Sequence, residues 1–374
     1  MTLDALETPA AVVDPARIVA NARRAVAYAG AHGLRWRPHT KTHKSRTVGG
    51  IEIDAGAGGL TVATPREAEV MADVTPDLLL AYPPVGAPKL TRIVQLPEEV
   101  ALTIALDSRE ALTGLAAAAA ARGRTVGVLV EMDVGMHRVG VQSAAEVLAL
   151  AALARELDGV AYRGVAFYPG HIRAHASEQD RALAELSATL SRLLELLGAA
   201  DLTPAVVSGG STPTFWRSHE LKGVTEIRAG TIIFNDREAV GSGAATWDDC
   251  AYTILATVVS TSVPGRAVVD AGSKALSKEA RGGGGELPTF GALLDRPEVQ
   301  VIGLSEEHGI LDVSATDWTP RVGDRVRIVP NHVCVSANLQ DALWAWDGTR
   351  LERWEQEARG RGPWAPGQPV GAAR

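Results

Sequence analysis

About eight times within some 230 residues, the chain repeats one unit: a short β-branched or apolar run, then a longer Ala/Leu-rich segment. The strand-like runs are Leu34–Arg37, Leu60–Ala63, Leu78–Ala81, Leu102–Leu106, Val126–Met132, Gly164–Tyr168, Ala205–Ser208 and Thr225–Arg228. Helical patterns lie before and between them at Pro15–His32, Pro65–Asp73, Ser108–Arg122, Ala144–Leu157 and Glu178–Gly198. In the last of these, Leu183, Leu186, Leu190, Leu193, Leu194 and Leu197 recur at three- and four-residue spacings and form one apolar face. Strands that alternate with helices are parallel strands joined by crossovers. This number of units predicts an α/β fold, a closed (β/α)8 TIM barrel, over residues 8–240.

From Asp236–Asp248 onward the pattern changes. Tyr252–Ser262, Ala267–Asp270, Val299–Leu304, Arg325–Val329 and Val333–Val335 read as strands, separated by turn signals such as Pro264-Gly265. A second, mostly antiparallel β domain is expected over 241–358, with residues 1–7 packed on it. Residues 359–374 read as a frayed tail and Gly282–Gly285 as a mobile loop.

Composition narrows the function. With 46% hydrophobic residues and a net charge of −7, the chain of 374 residues is not disordered. Its 37 basic residues form no dense run, so neither nucleic acid nor an anionic membrane is the expected partner. No run of about 18 apolar residues exists to span a bilayer. The acidic start Met-Thr-Leu-Asp-Ala-Leu-Glu is unlike a signal peptide, and the only cysteines, Cys250 and Cys334, suit a reducing cytoplasm. The expected partner is a small molecule.

Four clusters concentrate the chemistry. Arg37-Pro38-His39-Thr40-Lys41-Thr42-His43-Lys44 follows an early strand, at the barrel end where active sites sit. A lysine there can form a Schiff base with a carbonyl compound, or belong to an exposed basic loop. In Val130–Gly140, charged residues end an apolar strand and form either an ion-pair network or the lining of a polar site. Ser208-Gly209-Gly210-Ser211-Thr212-Pro213-Thr214 offers backbone N–H groups and hydroxyls to a phosphate, or is an ordinary turn. Glu226-Ile227-Arg228-Ala229-Gly230 could add backbone contacts. In Pro330-Asn331-His332-Val333-Cys334, a His and a Cys two apart on a strand point to one side. They are either two zinc-type ligands or a buried cysteine beside a satisfied histidine. Ser305–Gly309 forms another polar knot.

Together with Asp270–Ala275, these motifs resemble the D-serine dehydratase and D-threonine aldolase family, pyridoxal-phosphate enzymes of the alanine-racemase fold type. The matched motifs run from residue 8 to about residue 345. The resemblance implies an N-terminal barrel, a C-terminal β domain and a homodimer. It makes Lys41 the Schiff-base lysine, with Lys44 its rival, and puts His39 and Arg138 beside the cofactor. Tyr168 would line the pyridine ring, and His171 would face cofactor or substrate as a catalytic group. Ser208, Gly209, Gly210, Ser211, Thr212, Gly230 and Thr231 would hold the phosphate, and His332 with Cys334 a divalent metal. One departure stands out: related sequences tend to carry a tyrosine soon after the Arg-x-Gly stretch, where this chain has Thr231-Ile232-Ile233-Phe234.

The implied substrate is a D-β-hydroxy amino acid. Lys41 would remove the Cα proton, and the metal would act on the β-hydroxyl as a Lewis acid. Loss of that hydroxyl gives a 2-oxo acid and ammonia. Retro-aldol cleavage to glycine and an aldehyde uses the same parts, as does a 3-hydroxy-D-aspartate lyase. A thiolate ligand suits zinc more than manganese or magnesium and tilts the reading toward the dehydratase. A non-catalytic pyridoxal-phosphate carrier is the reading from another class. The roughly 130 residues after the barrel, with their candidate metal pair, argue against it.

Overall fold

The computed structural model describes residues 2–282 and 287–360. Two compact units divide the chain: Ala25–Gly230 with residues from Glu357 on, and Met1–Arg24 with Thr231–Gln356. They are described separately.

The first unit holds eight parallel strands, Arg35–Trp36, Leu60–Val62, Asp77–Leu80, Ala101–Leu106, Val126–Met132, Val160–Phe167, Val206–Gly209 and Glu226–Ile227. From Leu60–Val62 onward each pairs with its successor in sequence, and Arg35–Trp36 pairs with Glu226–Ile227. A parallel bridge between His39 and Thr61 joins the two remaining edges and closes the ring. This is the expected barrel. Local signals start its helices: Thr64, Ser108 and Ser143 cap Pro65–Met71, Arg109–Ala120 and Ala144–Glu156 by accepting from the backbone three residues on. Helix Asp180–Ala199 buries Leu183, Leu186, Leu190, Leu193 and Leu197, whereas Leu194 falls at the edge of that face. At about 1.5–3 kcal/mol for each fully buried leucine, this stripe fixes how the helix lies on the sheet.

The barrel interior is partly polar. Leu79, Ala105, Leu129 and Ala166 pack together as an apolar layer. Beside them Arg37, only 6% exposed, donates from Nε to Glu226 Oε2 at 2.7 Å and from Nη1 and Nη2 to the Asp77 carboxylate at 2.8 and 3.0 Å. Ser208 Oγ donates to Glu226 Oε1 at 2.7 Å. Arg37 thus ties three strand ends together by charge, with both acids hydrogen-bonded as burial demands.

The second unit is a nine-stranded sheet, antiparallel apart from one pairing. Strand Ala10–Val13 lies between Tyr252–Ser260, antiparallel, and Ala342–Trp346, parallel. Where the sequence put residues 1–7 on the second domain and began the barrel at residue 8, Met1–Arg24 belong to this unit, which resumes at Thr231. The segment read as strand Val333–Val335 is instead the start of helix Val333–Leu339. The preceding strand Arg325–Pro330 ends at its proline, and His332 turns the chain into the helix as its N-cap residue. Gly283–Gly285 of the expected mobile loop, and all of the expected tail from residue 361 on, lie outside the described residues.

Candidate active site

The strand Arg35–Trp36 delivers Pro38 and His39 to the closing bridge of the barrel, and a single 3-10 turn, Thr40–Thr42, follows. The buried Thr40 anchors that turn by donating from Oγ1 to Thr61 O at 3.1 Å. His39 caps it, with Nδ1 accepting from the Lys41 N–H at 3.5 Å. Lys41 is exposed, and among the described residues its amino group has no partner. Lys44 differs. It lies in the left-handed region at φ 54°, and its Nζ is 3.7 Å from Oε1 of the buried Glu67. The geometry therefore separates the two lysines: Lys44 is committed to an acid, while Lys41 is available. Below the turn, the fully buried His43 accepts from the Ser45 N–H and sets Nε2 3.3 Å from Glu52 Oε2.

Burial and the charges of Lys41 and Arg228 push the His39 imidazole well below its ordinary pKa. His39 is therefore neutral at pH 7 and lies within electrostatic reach of both cations. The Arg228 guanidinium is buried. Its Nη2 donates to Phe167 O at 2.9 Å, and Nη1 is buried without a hydrogen-bond partner among the described residues. Such an orphaned donor in a barrel interior is an unmet demand for an acceptor. Burial raises the Glu131 carboxyl, against the nearby charges of Arg228 and Arg138.

The next loop is held by one side chain. Asp133 accepts from the N–H groups of Gly135, Met136 and His137, and its Oδ2 is 3.0 Å from His137 Nδ1. Burial opposes its charge, but the N–H groups of Gly135 and His137 outweigh that and hold Asp133 down to about 2. The charged end of Val126–Met132 is thus divided: Asp133 locks the loop and Glu131 lies near Arg228. Arg138 emerges with its Cζ 4.9 Å from the centre of the Tyr168 ring, a cation–π contact. The exposed His171 packs against Gly135, where a Cβ would stand 3.0 Å from the imidazole.

In the loop after Val206–Gly209, Gly209 leaves room for the Phe167 ring, which a Cβ would meet at 2.2 Å. Gly210 has φ 90° and needs glycine for that reason. Ser211 is buried, its N–H and Oγ directed at Thr214 Oγ1 at 3.3 and 3.1 Å. Thr212 is half-buried beside it. Gly230 approaches the backbone so closely that a Cβ would lie 2.3 Å from His39 O. Gly230 thus brings its loop onto the His39 backbone, while Gly209 and Gly210 leave backbone N–H groups uncovered by a Cβ, which is what a phosphate site uses.

In the other unit, His332 Nδ1 lies 3.2 Å from Asp236 Oδ2, which also accepts from the Val333 N–H at 2.9 Å. Asp236 Oδ1 caps helix Arg237–Gly241 by accepting from the Ala239 N–H at 2.8 Å. Fully buried, Asp236 orients the imidazole, leaving Nε2 as the second nitrogen. Burial opposes protonation of His332, but Cys334 and Asp236 overcome it and raise its pKa. The Cys334 sulfur is 3.5 Å from Thr231 Oγ1. Thr231, expected at the phosphate, thus sits against the cysteine of the metal pair. The sequence reading missed Asp236, although an Asp before a short helical stretch signals a cap. It also missed the Arg228 side chain, having taken Glu226–Gly230 for backbone contacts.

These residues fit the implied groups. The barrel supplies an available lysine, a neutral histidine, an aromatic ring, an orphaned guanidinium N–H and a close-packed glycine cradle. Ile232 and Ile233 stand where a tyrosine was expected and are fully buried, so they add no hydroxyl there. In the second unit, His332 and Cys334 would supply two ligands to a metal, and among the described residues no group of three or more His, Cys, Asp or Glu could hold one. Two protein ligands leave positions for other oxygens.

Comparison with known proteins agrees. The alanine racemase N-terminal domain matches residues 13–238 and the serine dehydratase domain residues 251–345. D-threo-3-hydroxyaspartate dehydratase of Delftia sp. (strain HT23) is 36% identical over 95% of this chain and 98% of its own length. D-threonine aldolase of Arthrobacter sp. is 32% identical over 95% of this chain and 93% of its own length. A solved D-threo-3-hydroxyaspartate dehydratase, a cysteine-to-alanine mutant in the metal-free form, superimposes with a TM-score of 0.85 at 34% identity, covering 97% of this chain and 100% of that chain. Among the described residues, no helix is long and apolar enough to cross a membrane.

Proposed function

The chain belongs to the D-serine dehydratase and D-threonine aldolase family of lyases, and from that premise we propose that it is a pyridoxal-phosphate- and metal-dependent dehydratase of D-β-hydroxy amino acids. D-Serine and D-threonine are the substrates put first, giving a 2-oxo acid and ammonia. The observation that carries the reading is the imidazole–thiolate pair His332 and Cys334, oriented by Asp236. Such a donor set suits zinc, whereas manganese and magnesium prefer oxygen ligands. The similarity to D-threo-3-hydroxyaspartate dehydratase, and the metal-free form of its cysteine mutant, support the same assignment.

Pyridoxal phosphate, when bound, supplies the electron sink for the charge left at Cα. A divalent metal on His332 and Cys334 supplies Lewis acidity toward a β-hydroxyl. The remaining work falls to the chain. Lys41, without a partner among the described residues on its 3-10 turn, would hold the cofactor and take the Cα proton on Nζ. Neutral His39 holds the Lys41 backbone. Arg228 would offer Nη1 to an acceptor on the cofactor, and Arg138, over the face of Tyr168, would stand beside it. Ser208–Thr212 and Gly230 offer backbone N–H groups to the phosphate. His171 faces the substrate as a proton-transfer group. The working form is taken to be a homodimer in the cytoplasm.

The test is a product assay with D-serine, D-threonine and 3-hydroxy-D-aspartate, scoring oxo acid, ammonia, glycine and aldehyde together. Zinc-loaded protein is expected to give oxo acid and ammonia, with loss on chelation and in Lys41→Ala. Glycine and aldehyde instead would replace the dehydratase with an aldolase. The D-threonine aldolase relative is the specific reason to score them. An imine spectrum without turnover of any of the three would favour the carrier.

A further inference from the structure

A second polar cavity lies wholly in the β unit, with a volume of about 760 Å³. Its wall contains two arginines, Arg237 and Arg281. Arg237 is 8% exposed, and all its hydrogen-bond acceptors are neutral: Thr289 Oγ1 at 3.1 Å, Asn331 Oδ1 at 2.7 Å and Gln300 Oε1 at 3.2 Å. Arg281 donates from Nη1 to the Arg237 carbonyl at 2.7 Å. Its guanidinium lies flush on Gly241, where a Cβ would stand 1.9 Å from Nη2. Among the described residues, neither arginine has a carboxylate within ion-pair distance. Burial and the charge of Arg281 bring Arg237 down to about 10.

The Arg281 charge opposes that of Arg237, and a buried cation without an anion is costly. The chain nevertheless keeps both, positioned by three neutral acceptors and a glycine. An anion on the cavity side would meet both charges. The same lining holds Glu298 and Asp312, which would repel a phosphate or a dicarboxylate. Asp312 is engaged with Ser314 through its N–H and Oγ. Glu298 has no partner among the described residues and remains open to a cation.

We propose that this cavity binds a small amino-acid zwitterion, its carboxylate on Arg237 and Arg281 and its ammonium on Glu298. Binding there does not depend on the reaction proposed above.

The test is calorimetric titration of the holoprotein, reduced with borohydride so that Lys41 cannot exchange with an added amine. Glycine, acetate, methylamine and inorganic phosphate are the probes. Glycine is expected to bind, and roughly tenfold or more weakly to Arg281→Gln. Gly241→Ala, which drives the guanidinium off its seat, should show the same loss with a retained thermal transition. Glu298→Gln should weaken glycine but not acetate. Unchanged glycine binding in both Arg281→Gln and Gly241→Ala would overturn the proposal. Phosphate binding more tightly than glycine would overturn the ligand class.

Discussion

The two units treat a buried arginine in opposite ways. In the barrel, Arg37 meets Asp77 and Glu226, and its charge is cancelled where it stands. In the β unit, Arg237 meets only neutral acceptors among the described residues and feels the charge of a second arginine. A cancelled charge is a fastener that holds strand ends together. An uncancelled one is an opening for something the chain does not supply. The contrast separates buried polarity that builds the fold from buried polarity that awaits a ligand.

The largest effect should come from breaking the fastener. Arg37→Met strands Glu226 inside the barrel and is expected to lower stability by about 3–5 kcal/mol in urea unfolding. Arg237→Met should cost only about 1–2 kcal/mol, since the groups it abandons are neutral. Equal losses would erase the contrast. Adding Glu226→Gln to Arg37→Met should restore part of the loss, because the orphaned charge goes with it.

Asp236→Asn addresses the other unit's prearranged group. Zinc affinity, read by competition with a chromophoric chelator, should fall about 10–100-fold. Acid unfolding sharpens the comparison further. Asp133 has its folded pKa depressed to about 2 from 3.8, so its contribution is fully present above pH 3.8 and is lost as pH falls toward 2. Asp133→Asn should therefore flatten the urea midpoint over that window only. His39 adds to the acid limb earlier. Its folded pKa is also depressed, so the unfolded chain binds protons first and stability falls once pH drops below about 6.5. The smallest effect is one of labelling. Burial, with Asp236 and Asp249, drives the Cys250 thiol up to about 12, while Cys334 is partly exposed. A thiol reagent should modify one cysteine in the native protein, two after unfolding, and fewer than one with zinc present.

Much of the barrel was legible because its periods are regular. Strands such as Val126–Met132 occur where the apolar runs predicted them, and the serine and threonine caps mark the helix starts. The clusters singled out from the sequence do lie at strand ends: His39, Lys41 and Arg138 follow them, and Ser208 sits within the last residues of one. Side-chain partnerships were not legible. That Lys44 pairs with Glu67 while Lys41 stays open depends on a left-handed backbone angle that no local pattern announces. The segment at 332–335 misled because a valine-rich run fits strand and helix alike over so few residues, and the cap geometry decided it. Ala10–Val13 was missed as a strand because four small apolar residues carry no alternation.

That short strand orders events in time. Its antiparallel neighbours at 252–255 and its parallel neighbours at 344–345 are made long after it leaves the ribosome. The barrel's strand pairs join near neighbours in sequence, apart from Arg35–Trp36 with Glu226–Ile227, so most of that ring can assemble as it emerges. The strand Ala10–Val13 must instead wait, exposed to chaperones and to chance partners, for the strand Ala342–Trp346 to be synthesised more than three hundred residues later.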